Sequence, residues 1–240
     1  MQKMNVKLHR IFNKTDVIML PLIKNKLRNV SSVHLSIDDV KKCFEDLKNS
    51  NIPLREHPFF AKLKELNTKY GAKFTLYCFD DYACDIASER VAELAEMSSW
   101  LSLGWHGSLK EGNTIGSFKK FISFYKDTGV ILSSVLRLHR FYADEKTVSF
   151  LKENGIKTLL CSDNKGVSYG KDYTEYSVNN KTTFYRETDI RLENFVTARI
   201  TSLKKEDLYI FAHEVPFMLY NEFEKLDLLL KMLPKCKFLA

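Results

Sequence analysis

The run Val33-His34-Leu35-Ser36-Ile37-Asp38-Asp39-Val40 decides how the chain is read, because an apolar, strand-like segment stops on two adjacent carboxylates. Outward from it the pattern recurs. Leu101-Ser102-Leu103-Gly104-Trp105 leads into His106, Ser134-Val135-Leu136-Arg137-Leu138 into His139, and Leu208-Tyr209-Ile210-Phe211-Ala212 into His213. Segments with helical spacing follow or separate most of these runs, and such alternation places strand C-termini around one crevice. Two carboxylates and three histidines would meet there, the side chains of a metal-dependent hydrolase.

Between these runs the elements can be laid out. Val40, Phe44 and Leu47 share a helical face, and a second helix is predicted through Phe59, Leu63, Leu66 and Tyr70, with Pro58 at its start and Gly71 at its end. Residues 73–79 read as a buried strand. Helices are predicted over residues 86–97, 118–126 and 144–155, and a short strand over 156–161 leads into Asp163. Residues 173–194 break the rhythm: Asn179-Asn180 between Tyr- and Thr-rich flanks predicts a β-hairpin insertion near the site, and Asp189, Arg191 and Glu193 alternate on one strand face. An amphipathic helix around Phe223, Leu226, Leu229 and Leu230 closes the chain. With no internal repeat and no Pro/Gly-rich linker, six or seven strand–helix units imply one α/β domain over residues 1–240, an incomplete or distorted (β/α) barrel.

Composition narrows the function. The 240 residues are 45% hydrophobic, enough for a substantial core, yet charges interrupt every apolar stretch well short of the roughly 20 residues that span a membrane. Residues 1–13 are basic but lack the apolar core and cleavage site of a secretory signal, so a cytoplasmic location is expected. The net charge of +7 is spread among interleaved acids and bases, against nucleic-acid binding. Cys43, Cys78, Cys84, Cys161 and Cys236 are scattered and contain no CxxC pair, and read as reduced thiols or small core residues.

The order of motifs resembles the polysaccharide deacetylases, the NodB-homology domain of carbohydrate esterase family four. Ser36-Ile37-Asp38-Asp39-Val40 is similar to that family's Thr-Phe-Asp-Asp-Gly, and Lys73-Phe74-Thr75-Leu76-Tyr77 to its next strand. His106 matches the first histidine of His-x-x-x-His, Arg137 the arginine of Arg-Pro-Pro-Tyr-Gly, and Ile210-Phe211-Ala212-His213-Glu214 the strand ending in histidine. The resemblance implies a distorted (β/α) barrel, about seven-stranded, that removes N- or O-linked acetyl groups from sugars with a divalent metal, commonly zinc. It also implies Asp39 and His106 as metal ligands, Asp38 as the general base toward the attacking water, His213 as the general acid, and Arg137 as the residue that orients or charges the base.

Three departures qualify this. Lys110 stands where the family has its second metal histidine, and an ammonium is a poor ligand. Val40 replaces a glycine, and both prolines of the arginine motif are missing. His139, two residues after Arg137 and so on the same strand face, is expected to supply the third ligand, giving Asp39, His106 and His139. Asp163 or Glu214 could hold the tautomer of His213. Blander readings remain open: Asp38-Asp39 as a helix N-cap, each histidine as a structural hydrogen-bonder, Trp105 as core, and Arg137 as part of a charge network. His34, His57 and the pair Asp80-Asp81 are ranked outside the site. The expected partner is an acetylated sugar or sugar conjugate; a catalytically silent protein of this fold that binds a glycan or protein is the alternative.

Overall fold

In the strand Ser32–Val40 (β1) every residue except Asp39 is buried, as expected of a central parallel strand covered on both faces. The computed structural model describes residues 24–139, 145–160, 175–178, 182–185, 190–192, 206–220 and 222–239. Along one edge of β1 runs Asp207–His213 (β9), in register from Ser32↔Asp207 to Asp38↔His213. Two strands share the other edge: Phe74–Phe79 (β2) beside residues 36–40, and Lys237–Leu239 (β10) beside residues 32–34. β2 pairs with Leu101–Gly107 (β3), and Ile190–Arg191 (β8) with β9; all these pairings are parallel. From β3 a bridge, Leu103↔Leu132, leads on to Val135–Leu136 (β4), which pairs with Thr158–Leu159 (β5). Among the described residues the main sheet runs β8-β9-β1-β2-β3, with β10 also on β1, and β4-β5 is a separate parallel pair, an α/β fold on a parallel sheet.

The helices follow their strands for local reasons. Pro58–Tyr70 starts with the His57 ring accepting the Phe59 N–H at 3.3 Å and stops at Gly71, whose φ of 68° suits a residue without Cβ. It buries Phe59, Phe60, Leu63 and Leu66. Each such side chain contributes about 1.5–3 kcal/mol, which outweighs the weak intrinsic stability of a short helix. In Ile115–Tyr125 the Thr114 hydroxyl accepts the Ser117 N–H, and Phe118, Phe121 and Tyr125 face inward. Trp105 fills the space beneath and donates to the Ser117 hydroxyl at 2.9 Å, which in turn donates to buried Asp80.

Several expectations change. β1 runs through Val40, and the helix after it begins only at Lys42 and ends at Lys48. The strand expected over residues 134–138 shrinks to β4, so His139 lies beyond regular pairing. The hairpin forms, Glu175–Val178 (β6) against Thr182–Tyr185 (β7), while Ile190–Arg191, read as part of the insertion, belongs to the main sheet. β10 and the short helix Glu214–Leu219 were not legible in the sequence. The N-terminal stretch 1–13, the hairpin tip Asn179-Asn180, Asp163, Asp189 and Glu193 lie outside the described residues. The four described cysteines are free thiols. No described helix is long and apolar enough to cross a membrane.

Candidate functional site

Asp39 owes its position to a break in β1. The register with β2 shifts between Ile37 and Val40, and Asp39 itself has φ of 55°. Left-handed backbone is unfavourable for most residues but tolerated by aspartate. The turn swings the Asp39 carboxylate away from the strand alternation that would otherwise send it to the face opposite Asp38. It meets His106 from the end of β3, with Oδ1 3.1 Å from Nε2, and His139, 3.3 Å from Nδ1. One ligand atom from each of Asp39, His106 and His139 lies within 4.8 Å of the others, a spacing that a single divalent cation could bridge after small side-chain adjustments.

The donor set suits such an ion. His106 Nδ1 donates to the Arg137 carbonyl at 2.5 Å, which fixes the ring so that Nε2, hydrogen-bonded to Asp39 here, is directed at the place an ion would take. The Phe79 ring packs edge-on against both imidazoles, with centroids 5.2 Å from His106 and 5.0 Å from His139, and Tyr77 stacks on His106. His106 is buried, whereas the side chains of Asp39 and His139 are 41% and 25% exposed, so one side of the cluster opens outward. Burial alone would raise the Asp39 pKa, but hydrogen bonds from His106 and His139, with the nearby His213, hold it well below the usual carboxylate range.

Beneath this cluster lies a buried charge pair. Asp38 and Arg137 are 1% and 0% exposed, and Arg137 Nε lies 3.1 Å from Asp38 Oδ2. The guanidinium rests on the Phe211 ring, 4.2 Å from its centroid. Burial pushes the Asp38 pKa up, and the charge of Arg137 pulls against it. Arg137 thus touches the site twice, through its side chain to Asp38 and through its carbonyl to His106. His213 stands in register with Asp38 across the sheet, half-buried against Phe211.

The remaining sequence candidates separate cleanly. Glu214 does not serve as expected for His213: its carboxylate accepts the backbone N–H groups of Lys41, Lys42 and Cys43 at 2.9, 2.7 and 2.6 Å. That carboxylate caps the helix after β1, and Asp38-Asp39 do not, which removes the helix-cap reading of the pair. Lys110 is exposed in a turn, with its backbone N–H near Ser108 and Asp81. Asp80 accepts from Ser117 and pairs with Lys120, and Asp81 accepts from Ser108 and the Leu109 N–H; both are structural. His34 is buried mid-strand, 3.2 Å from the Tyr77 hydroxyl, which donates to the Val135 carbonyl, and Trp105 is core. Sequence reading missed Phe79 and Phe211, because an aromatic in a buried strand carries no signal of what its ring will touch.

No protein-family model matches the chain, and no curated protein does. Solved structures do. A 4-alpha-glucanotransferase from Thermococcus litoralis superposes with a TM-score of 0.56 at 13% identity over 88% of this chain, which spans only 37% of that one. The Bc1960 peptidoglycan N-acetylglucosamine deacetylase gives 0.53 at 11% identity, covering 88% of this chain and 86% of its own. A Mycobacterium smegmatis protein named as a polysaccharide deacetylase gives 0.51 at 10%, covering 87% of each. At these identities the likeness shows the fold.

Proposed function

We propose that the chain is a metal-dependent hydrolase that removes an acetyl group, N- or O-linked, from a carbohydrate or sugar conjugate. The convergence of Asp39, His106 and His139 on one point carries this reading. Two histidines and one carboxylate are a donor set that zinc suits. A bound cation would polarise the acyl carbonyl and lower the pKa of a water. Asp38 would be the base toward the attacking water, its carboxyl pushed up by burial and pulled down by Arg137. Arg137 touches no solvent and is a positioning residue, fixing Asp38 with its guanidinium and His106 with its carbonyl. His213 gives a proton to the departing nitrogen or oxygen and regains one, from Asp38 or solvent, before the next turnover.

The fold neighbours include a glucanotransferase, so the fold alone does not choose the chemistry. Glycosyl transfer by a carboxylate pair needs two acids flanking a sugar bond. Here Asp38 is locked to buried Arg137 and Asp39 to two histidines, an arrangement that favours acyl cleavage.

The test is the metal content of the chain purified without chelator, followed by acetate release from acetylated sugars, oligosaccharides and sugar nucleotides. About one divalent ion per chain, lost in Asp39→Ala and His139→Ala, together with released acetate, is the expected result. Metal without acetate release would favour a silent glycan- or protein-binding member. No metal after zinc is supplied would overturn the reading.

A further inference from the structure

We propose that Asn113 is a positioning residue that sets His139 in the metal site, and that Gly107 is a glycine because any side chain there would expel Asn113. The proposal rests on the metal-site reading above.

His139 needs an explanation that secondary structure does not supply. β4 ends at Leu136, so residues 137–139 have no strand ladder to fix them. Side chains do it instead. Alternate carbonyls of this segment are taken from the direction of β3: the Arg137 carbonyl by His106 Nδ1 at 2.5 Å, and the His139 carbonyl by Asn113 Nδ2 at 2.6 Å. The two-residue spacing is that of an extended strand, and the two donors stand in for the ladder that β3 would have offered had it continued past Gly107.

Asn113 reaches the His139 carbonyl through space that only glycine leaves open. The connection from β3 folds back on itself by paired backbone hydrogen bonds between Ser108 and Gly112, which places Asn113 over Gly107. A Cβ on Gly107 would stand 2.1 Å from Asn113 Oδ1, and Gly107 has φ of 102°, a conformation foreign to residues with side chains. The same loop is fastened on its far side, where Asp81 accepts from Ser108 and the Leu109 N–H. The loop that in the resembling family would carry a second metal histidine here holds, through Asn113, the histidine that replaces it.

The experiment uses the full chain stripped of metal, titrated with zinc against a chromophoric chelator and, separately, loaded with cobalt(II) to record its visible absorption. Asn113→Asp keeps the shape and turns the donor into a charged acceptor; Asn113→Ala removes the side chain without adding charge. Each is expected to weaken zinc binding about 10–100-fold and to alter the cobalt spectrum. Gly107→Ala should lose affinity to a similar extent, and the double variant Gly107→Ala/Asn113→Ala no more than the worse single one, since both break one contact. Wild-type affinity and spectrum in Asn113→Asp, or lowered thermal stability with both unchanged, would overturn the proposal while leaving the metal site standing. Failure of the wild-type chain to take zinc or cobalt would overturn the metal-site reading, and this proposal with it.

Discussion

Asp39 sits at φ of 55°, and that single torsion separates function from stability. Asp39→Gly and Asp39→Ala both remove the carboxylate, but only alanine keeps a Cβ in left-handed backbone. The glycine variant should therefore be the more stable by about 1 kcal/mol in urea denaturation, although both lose metal. Lys110→His restores the residue type of the resembling family, yet position 110 is exposed in a turn tied to Ser108 and Asp81, so zinc affinity should not rise in the chelator titration. Asp38→Asn should lower acetate release by about 10²–10⁴-fold with metal content unchanged, because in the proposed mechanism it removes the base and not a ligand. His34 gives a pH signature away from the site. Burial, helped by the charge of Arg137, pushes its pKa from 6.5 down to about 3. Between those values the unfolded chain binds a proton that the folded chain refuses, so stability falls as pH drops below 6.5, by about 1.4 kcal/mol per pH unit from this group. His34→Gln should flatten that slope when urea midpoints at about pH 7 and pH 5 are compared with wild type. Residue types at strand ends were readable as site candidates, and the two-residue spacing from Arg137 singled out His139, although the strand that the spacing assumed ends at Leu136. The backbone torsion of Asp39 could not, since it arises from a register shift between two strands distant in sequence.

Among elements, the join between β9 and the helix Lys42–Lys48 matters most. Glu214 follows His213 directly, and its carboxylate gathers three N–H groups at the helix start, just after Asp38 and Asp39. One residue thus clamps the strand end carrying the expected acid to the strand end carrying the expected base and ligand. Glu214→Ala leaves those donors without their acceptor and should cost about 3 kcal/mol in urea denaturation, with Glu214→Gln costing roughly half as much. The helices were readable because their apolar spacing, Pro58 and Gly71 are local signals. The cap was not, because the sequence gives no hint that a carboxylate more than 170 positions away serves the helix after β1. β4 was overread for a related reason: an apolar run predicts burial, and burial at residues 137 and 138 comes with side-chain partners to this segment in place of a strand neighbour.

At the scale of the molecule, the alternation of strand and helix was enough to expect an α/β fold with parallel strands, and the parallel pairings from β8 to β3 and between β4 and β5 bear that out. The sharing of one edge of β1 by β2 and β10 was hidden, because three residues at 237–239 are too few to show a period. Those residues pair with the start of β1, at the opposite end from Asp39. Removing residues 237–240 should lower the melting temperature while leaving zinc affinity intact, which separates the support of the sheet from the working rim. Trp105, buried and fixed by Ser117, stands one residue from His106. The protein therefore carries its own optical gauge. Copper(II) seated at His106 should quench emission from that indole, so the site can be filled, emptied and timed by intrinsic fluorescence, without a label or a substrate.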